Sequence, residues 1–484
     1  MRGRLCVLFI FFVSFFSKRT KRTTKQRTRK KEITSVAQKK NARLIIHQIC
    51  KTIKEHFPNL FDQIADQIND PRKRKEYSLA EILMAALTMF LFKEGSRNAF
   101  NSDRRQETFI KNYERLFGIR LPHMDTIEAV LRLLQPDELE KLKACLVSGL
   151  IEKKVFHKFK FWSKRFVVAI DGTGLYSFDH KHCDHCLHKT SSTGVTTWFH
   201  HVPEAKLVTS NGMAISLCTE WIANNPDNLF DKQDCEHNAF KRLAIKLKKS
   251  YPRLPICITA DGLYPNQYFF AICLKNDWDF IVTFKDGNLP LLQEEIELLR
   301  PLNATNTTER ITTTKNVRTT QTFRWINELE HKKISINWIE CIEETIVTAA
   351  TKKTSEEKPS HFVYVTNLEI NRQTACQICD GGRLRWKIEN EGFNTQKNGG
   401  YHMEHKYSRV SFQALKNYYQ CLQIAHLINQ LVEKSIALAA LLDDTMGITY
   451  LWQKILVGFL LWIELDETEI VTIKAQRWQI RLTD

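Results

Sequence analysis

From residue 42 to about 155 the apolar positions recur at helical spacing, and no stretch alternates as a strand would. "SLAEILMAALTMFLFKE" opens on Ser78 with Glu81 three positions on. This is a capping box, in which each side chain satisfies an orphan backbone amide of the other. "DTIEAVLRLL" offers the same device at Asp125 and Glu128, and "PDELEKLKACLVSGLIEK" is a proline-initiated helix. The pattern predicts an all-helical N-terminal domain over residues 42–160, preceded by an apolar and basic extension, 1–41, outside the fold. At Arg165 the texture changes. "RFVVAID" is a short β-branched run, and "AKLVTSNGMAISLCTE" reads as two strands about an Asn-Gly turn. A helix, "DCEHNAFKRLAIKLKKSY", a strand, "PICITAD", a helix, "NQYFFAICLKND", and a strand, "DFIVTFK", follow.

The order is β-β-β-α-β-α-β, three antiparallel strands feeding parallel strands through helical crossovers, which predicts an α/β sheet. Ribonuclease H-like cores use that order, so residues 161–285 are assigned to the first part of such a core. Residues 286–375 become Thr-rich and alternating, a β-rich insertion. Helical character returns over 376–440, the second part of the core, and a C-terminal segment spans 441–484. Its run "LWQKILVGFLLWIEL" is apolar, but its length and its Gln453, Lys454 and Glu464 predict packing on protein rather than lipid.

Hydrophobic residues make up 43% of the 484 and charged residues 26%, ordinary globular values that argue against a disordered chain. The net charge of +17 is not ordinary and fits a polyanionic partner, nucleic acid or an acidic membrane surface. Nine of the thirteen cysteines stand singly, which argues against a secreted disulfide framework. The apolar run Leu5 to Phe16 is of signal-peptide length. No small-x-small cleavage site follows, and the basic block Lys18 to Lys31 lies on the wrong side of it. An extension outside the fold is the reading, with a membrane or export signal as the alternative; the basic block is a candidate nucleic-acid-binding arm.

Asp171 in "VVAIDGTG" and Asp261 in "ICITADGLYPN" each follow a buried strand and precede a glycine. An acid there sits at the rim of a sheet, where ligands bind. In a ribonuclease H-like order the first and fourth strands are neighbours, so the two acids converge. A third carboxylate from a later helix would complete a site for two divalent ions. "RWKIENEGFNTQKNGGYHMEH" supplies Glu389, Glu391 and Glu404. This segment closely resembles the third-acid segment of bacterial insertion-sequence transposases of the DDE class, the cut-and-paste type with a ribonuclease H-like catalytic core. "AIDGTGLYSFDHKHCDHCLHKT…TTWFHH" resembles the family's first-acid block, and "KQDCEHNAFKRLAIKL…ITADGLYPN" the block leading to its second acid. The resemblance spans roughly residues 160 to 430. It implies Asp171, Asp261 and a glutamate as a triad binding two Mg²⁺ or Mn²⁺ ions, with DNA as substrate.

The wider cut-and-paste group carries a Y-R-E-K pattern. Arg385-Trp-Lys-Ile-Glu389 fits its R-x-x-x-E part, so the resemblance implies Arg385 on a phosphate and Glu389 on metal, with Glu391 as the alternative ligand. The lysine is expected seven positions after the acid; Lys397 lies eight after Glu389 and six after Glu391. The tyrosine is absent, Gly382 standing in its place, which puts a hairpin intermediate in doubt. Glu404 is read as structural. Trp325 and Trp338, in the insertion, are candidates to stack on an unpaired base, and core residues otherwise. Cys183 and Cys186 form a C-x-x-C among four histidines, half of a structural zinc site that His200 or Cys376 and Cys379 would complete; a reduced thiol pair is the alternative.

The function expected is that of a transposase nicking element ends and transferring them to target DNA. It would act on terminal inverted repeats as a homodimer, in a bacterial cytoplasm and on nucleoid DNA when bound. A catalytically inactive DNA-binding derivative and, from the apolar run, a membrane-associated protein are the alternatives.

Overall fold

The structure, a computed structural model, describes residues 36–162, 164–224, 234–285, 287–314, 316–348, 354–356, 359–440, 447–475 and 481–484. The apolar run Leu5 to Phe16 and the basic block after it lie outside the described residues. Two compact units divide the chain, one comprising the residues up to Leu134 with Gly399–His402 and Ile424–Thr483, the other Gln135–Asn398 with Met403–Gln423 and Asp484.

The first unit is helical. Its helices Val36–His56, Leu60–Gln67, Leu79–Leu91, Arg97–Arg104, Glu107–Phe117 and Met124–Leu131 are joined by short helices from the far end of the chain. The first starts inside the span expected to lie outside the fold, and Ala42, Ile45 and Ile46 on it are buried. The Ser78 capping box forms, with Ser78 Oγ accepting from the Glu81 amide at 3.2 Å and Glu81 Oε2 from the Ser78 amide at 2.7 Å. The box expected at Asp125 does not. That helix begins at Met124 with His123 as its N-cap, and Glu128 instead turns to Arg97 and Arg132 at 3.3 and 3.1 Å. Two cations outweigh one backbone amide for a carboxylate that is 4% exposed. The apolar run Leu451–Leu461 packs inside this unit, where Asn112 Nδ2 donates to the Leu460 and Ile463 carbonyls at 2.9 and 2.7 Å. No described helix is long and apolar enough to cross a membrane.

The second unit is mixed α/β, built on one sheet that holds eleven strands among the described residues. They are β1 (Phe166–Phe178), β2 (Leu187–Thr190), β3 (Thr196–Val208), β4 (Ala214–Thr219), β5 (Ile256–Ala260), β6 (Asp279–Thr283), β7 (Thr307–Thr314), β8 (Val317–His331), β9 (Ile334–Thr348), β10 (Thr354–Glu356) and β11 (Ser360–Thr366). The helix Pro136–Glu152, assigned from sequence to the leading domain, belongs with this unit. β1 and β4 both lie antiparallel to β3, turned at Asn211-Gly212, where Gly212 takes φ +83°. β1, β5 and β6 are parallel, with helices Glu236–Ser250 and Gln267–Lys275 as the crossovers. Their pairing is built from fully buried runs such as Ile256–Ala260, as a sheet covered on both faces requires.

The Thr-rich region is β-rich, and it adds to the main sheet. Its strand β11 pairs antiparallel with β6, Val365 opposite Val282, so β7 to β11 continue the same sheet. One hydrophobic cluster joins the two parts, with Ile281 and Cys257 packed among Phe323, Trp325, Ile339, Tyr364 and Cys379.

Candidate active site

Parallel pairing sets Ile170 of β1 opposite Ala260 of β5, and the next residue on each chain is an acid, Asp171 and Asp261. Asp261 ends its strand, with Oδ1 accepting from the Leu263 amide at 2.9 Å. Asp171 does not end its own. β1 continues to Phe178, because residues 171–174 keep pairing with β3 and Gly172 lies where an added Cβ would be 2.4 Å from His201 Nε2. At Gly172 the strand and the His201 side chain approach closely.

Glu389 comes from the stretch that follows helix Ala375–Arg383. This stretch is not a regular α-helix: residues Ile388–Asn394 form a π-helical turn. Gly392 and Phe393 of that turn sit on Lys206 of β3, whose Nζ lies 5.5 Å from the Phe393 ring centre. Lys206 is itself buried, beside Glu204 at 3.4 Å and donating to Gln423 Oε1 at 2.7 Å. A satisfied polar pair thus forms the floor on which the glutamate-bearing turn rests.

The carboxyl of Asp171 is pushed up to about 6. Burial is the main cause; the Gly172 amide at 2.8 Å and the Arg385 guanidinium oppose it, while the charges of Asp261 and Glu389 add to it. The Asp171 carboxyl therefore feels the charges of acids from two other parts of the chain. Arg385 is buried, places Nη1 3.4 Å from Asp171 Oδ2, and stacks on the Trp386 ring at 4.3 Å. Glu389 is exposed and forms no ion pair with the described residues. Glu391 is tied to Lys387 at 2.6 Å, one turn back on its own helix. Lys397 pairs with Glu404 at 2.9 Å.

Of the two readings for Trp325 and Trp338, base-stacking or core, the core one fits their burial. Trp325 and Trp338 are 4% and 2% exposed. Trp325 packs with Phe323, Ile339 and Tyr364, and Trp338 lies under the Arg300 guanidinium at 5.2 Å. Neither presents a face to a base, because both strands are covered and their indoles fill the core. The sequence reading also passed over Tyr264, 2% exposed, whose unpartnered hydroxyl is raised by burial with Glu236, Asp171 and Asp261 as its charged neighbours. Its position three residues after Asp261 was the available signal. Behind Gly172, His201 and Glu236 pair at 3.1 Å.

The other expected donors gather at the far end of β1. Sγ of Cys183 and Cys186 and Nε2 of His200 all lie within 4.8 Å of one another, a spacing that the three acids do not reach. Cys379 packs instead with Cys341 in the hydrophobic cluster, with Cys376 against it. No protein-family model and no curated protein matches this chain.

Proposed function

We propose that the chain is a DNA transposase of the DDE class that nicks element ends and joins them to target DNA. The observation that carries this reading is the convergence of Asp171 and Asp261, each the next residue after the last paired residues Ile170 and Ala260 of two parallel strands, with the charge of Glu389 acting on the Asp171 carboxylate. Setting β2 aside, the order β4-β3-β1-β5-β6, with the last three parallel, supports a ribonuclease H-like core.

The donor set suits hard divalent cations, which take oxygen ligands. Asp171, Asp261 and Glu389 would hold Mg²⁺ or Mn²⁺, which when bound polarises a phosphodiester and lowers the pKa of water. Asp171 gives up its proton near pH 6 and is a carboxylate at neutral pH. Arg385 fixes the direction of one of its oxygens, so the guanidinium positions a ligand rather than reaching out to phosphate. The exposed Glu389 is free to swing toward the aspartates, whereas Glu391 is held by Lys387. The π turn also bears on spacing. An i→i+5 turn takes up one extra residue, so Lys397, eight positions after Glu389, is set as the seventh would be on a regular helix.

The test is incubation of the purified chain with Mg²⁺ and duplex DNA carrying the inverted repeats that flank its coding sequence. The expected product is a nick at the repeat end leaving a 3′-hydroxyl. Binding without nicking would overturn the enzyme and leave a DNA-binding derivative.

A further inference from the structure

We propose that Cys183, Cys186 and His200 bind one zinc ion, which ties the loop after β1 to strand β3. The two sulfurs are 3.5 Å apart, and each is 3.6 Å from His200 Nε2. Zinc with Zn–S near 2.3 Å and Zn–N near 2.0 Å at tetrahedral angles separates its donors by about 3.5–3.8 Å. The three edges thus match one face of a zinc tetrahedron. A disulfide does not describe them, since bonded sulfurs lie at about 2.05 Å.

Burial gives an independent reason. His200 is 1% exposed and Cys186 is fully buried. The Nδ1 of His200 has no hydrogen-bond partner, and its Nε2 faces only the two sulfurs. A buried imidazole with so little polar company is costly unless something strong engages it. Its ring is also held in place, stacked on Phe412 at 4.7 Å and edge-on to Tyr176 at 6.1 Å. Cys183 is the partly exposed member, so the fourth corner opens on its side. Water or a flanking imidazole fills it. The loop holds three imidazoles, His182, stacked on Phe178, His185, stacked on the same Phe412, and His180, paired with Asp179 at 2.7 Å.

The ligands sit where the β2–β3 pairing ends, since Leu187, next to Cys186, pairs with Phe199, next to His200. Cys183 and Cys186 belong to the connection between β1 and β2, and His200 lies on β3 two residues beyond Trp198, which pairs with Phe178 at the end of β1. The ion would therefore anchor the far end of the strand that carries Asp171. It is a site separate from the acids in both residues and donor chemistry, soft sulfur and nitrogen against hard oxygen.

The test is metal analysis of the full-length protein purified without chelators. The expected content is about one zinc per chain, lost in Cys183→Ser/Cys186→Ser and in His200→Ala and retained in Asp171→Asn. Because the cysteine variants can fail to fold, the unmutated protein is also reconstituted with Co²⁺. Thiolate-to-cobalt charge-transfer bands and intense tetrahedral d–d bands are expected. A zinc-free unmutated protein that gives no such bands with one equivalent of Co²⁺ overturns the proposal, as does zinc that persists in the double serine variant. A mass two hydrogens light at this pair in the native protein would show a disulfide and overturn it equally.

Discussion

At Asp171 three acids approach one another in open order, while at the other end of β1 two thiols and an imidazole close to within 4.8 Å. The difference follows from charge. Burial favours the protonated form of Asp171, the charges of Asp261 and Glu389 add to it, and Arg385 opposes it, so this carboxyl holds its proton to about pH 6. Thiols and a neutral imidazole repel little, and here they lie in contact at 3.5 and 3.6 Å. The first cluster is a set of ligands waiting to be drawn together; the second is preformed. The Asp171 cluster also borrows Arg385 to hold one oxygen in place, a role for which the Cys and His cluster uses aromatic stacking.

The largest expected effect that would break this contrast is loss of activity. Asp171→Asn, Asp261→Asn or Glu389→Gln should each lower Mg²⁺-dependent nicking roughly 10³-fold or to background, read on a labelled duplex. Equal nicking by any one of them removes that residue from the set.

Next is a stability effect. Asp171 titrates at about 6 when folded against 3.8 for the free side chain, so the folded chain keeps a proton that the unfolded chain releases. Metal-free stability should therefore fall as pH rises from about 4 to about 6, by on the order of 3 kcal/mol. Thermal melts across that range check it, and Asp171→Asn should flatten the dependence. Mg²⁺ should restore stability above pH 6 and do little at pH 5, where the proton competes for the carboxylate.

A smaller effect belongs to Arg385. Its removal takes away a charge that lowers Asp171, so Arg385→Ala should move the acidic limb of the nicking profile to higher pH by less than about one unit. Arg385→Lys should recover part of the shift. The smallest effect is expected at Glu391. Its ion pair with Lys387 keeps it away from the aspartates, and Glu391→Gln should leave nicking within a fewfold of the unmutated rate. A loss as deep as that of Glu389→Gln would reverse the assignment between the two glutamates.

Much of this arrangement was legible in the sequence. The strands around "RFVVAID", "ITAD" and "IVTF" and the Asn-Gly hairpin are local patterns, and local patterns fixed the order that brings Asp171 beside Asp261. What escaped depends on contacts distant along the chain. β2 is short, and three of its four residues are exposed, so no alternation marks it. The continuation of β1 past Asp171 is imposed by β3. The joining of the Thr-rich strands to the main sheet rests on one pairing, β11 with β6, between residues some eighty positions apart. Trp325 and Trp338 have the composition of stacking residues and the environment of core ones, and only the sheet's coverage decides between them. The π turn at Ile388–Asn394 leaves no periodic trace over seven residues, yet it governs which glutamate and which lysine share a side.

The central claim is that Asp171 is a metal ligand in a DNA-cutting site, and a thiolate exchange tests it most directly. Asp171→Cys should fail to nick repeat-end DNA in Mg²⁺, which binds sulfur poorly, and regain activity in Mn²⁺, which accepts it better. Undiminished nicking by Asp171→Cys in Mg²⁺ would contradict the account.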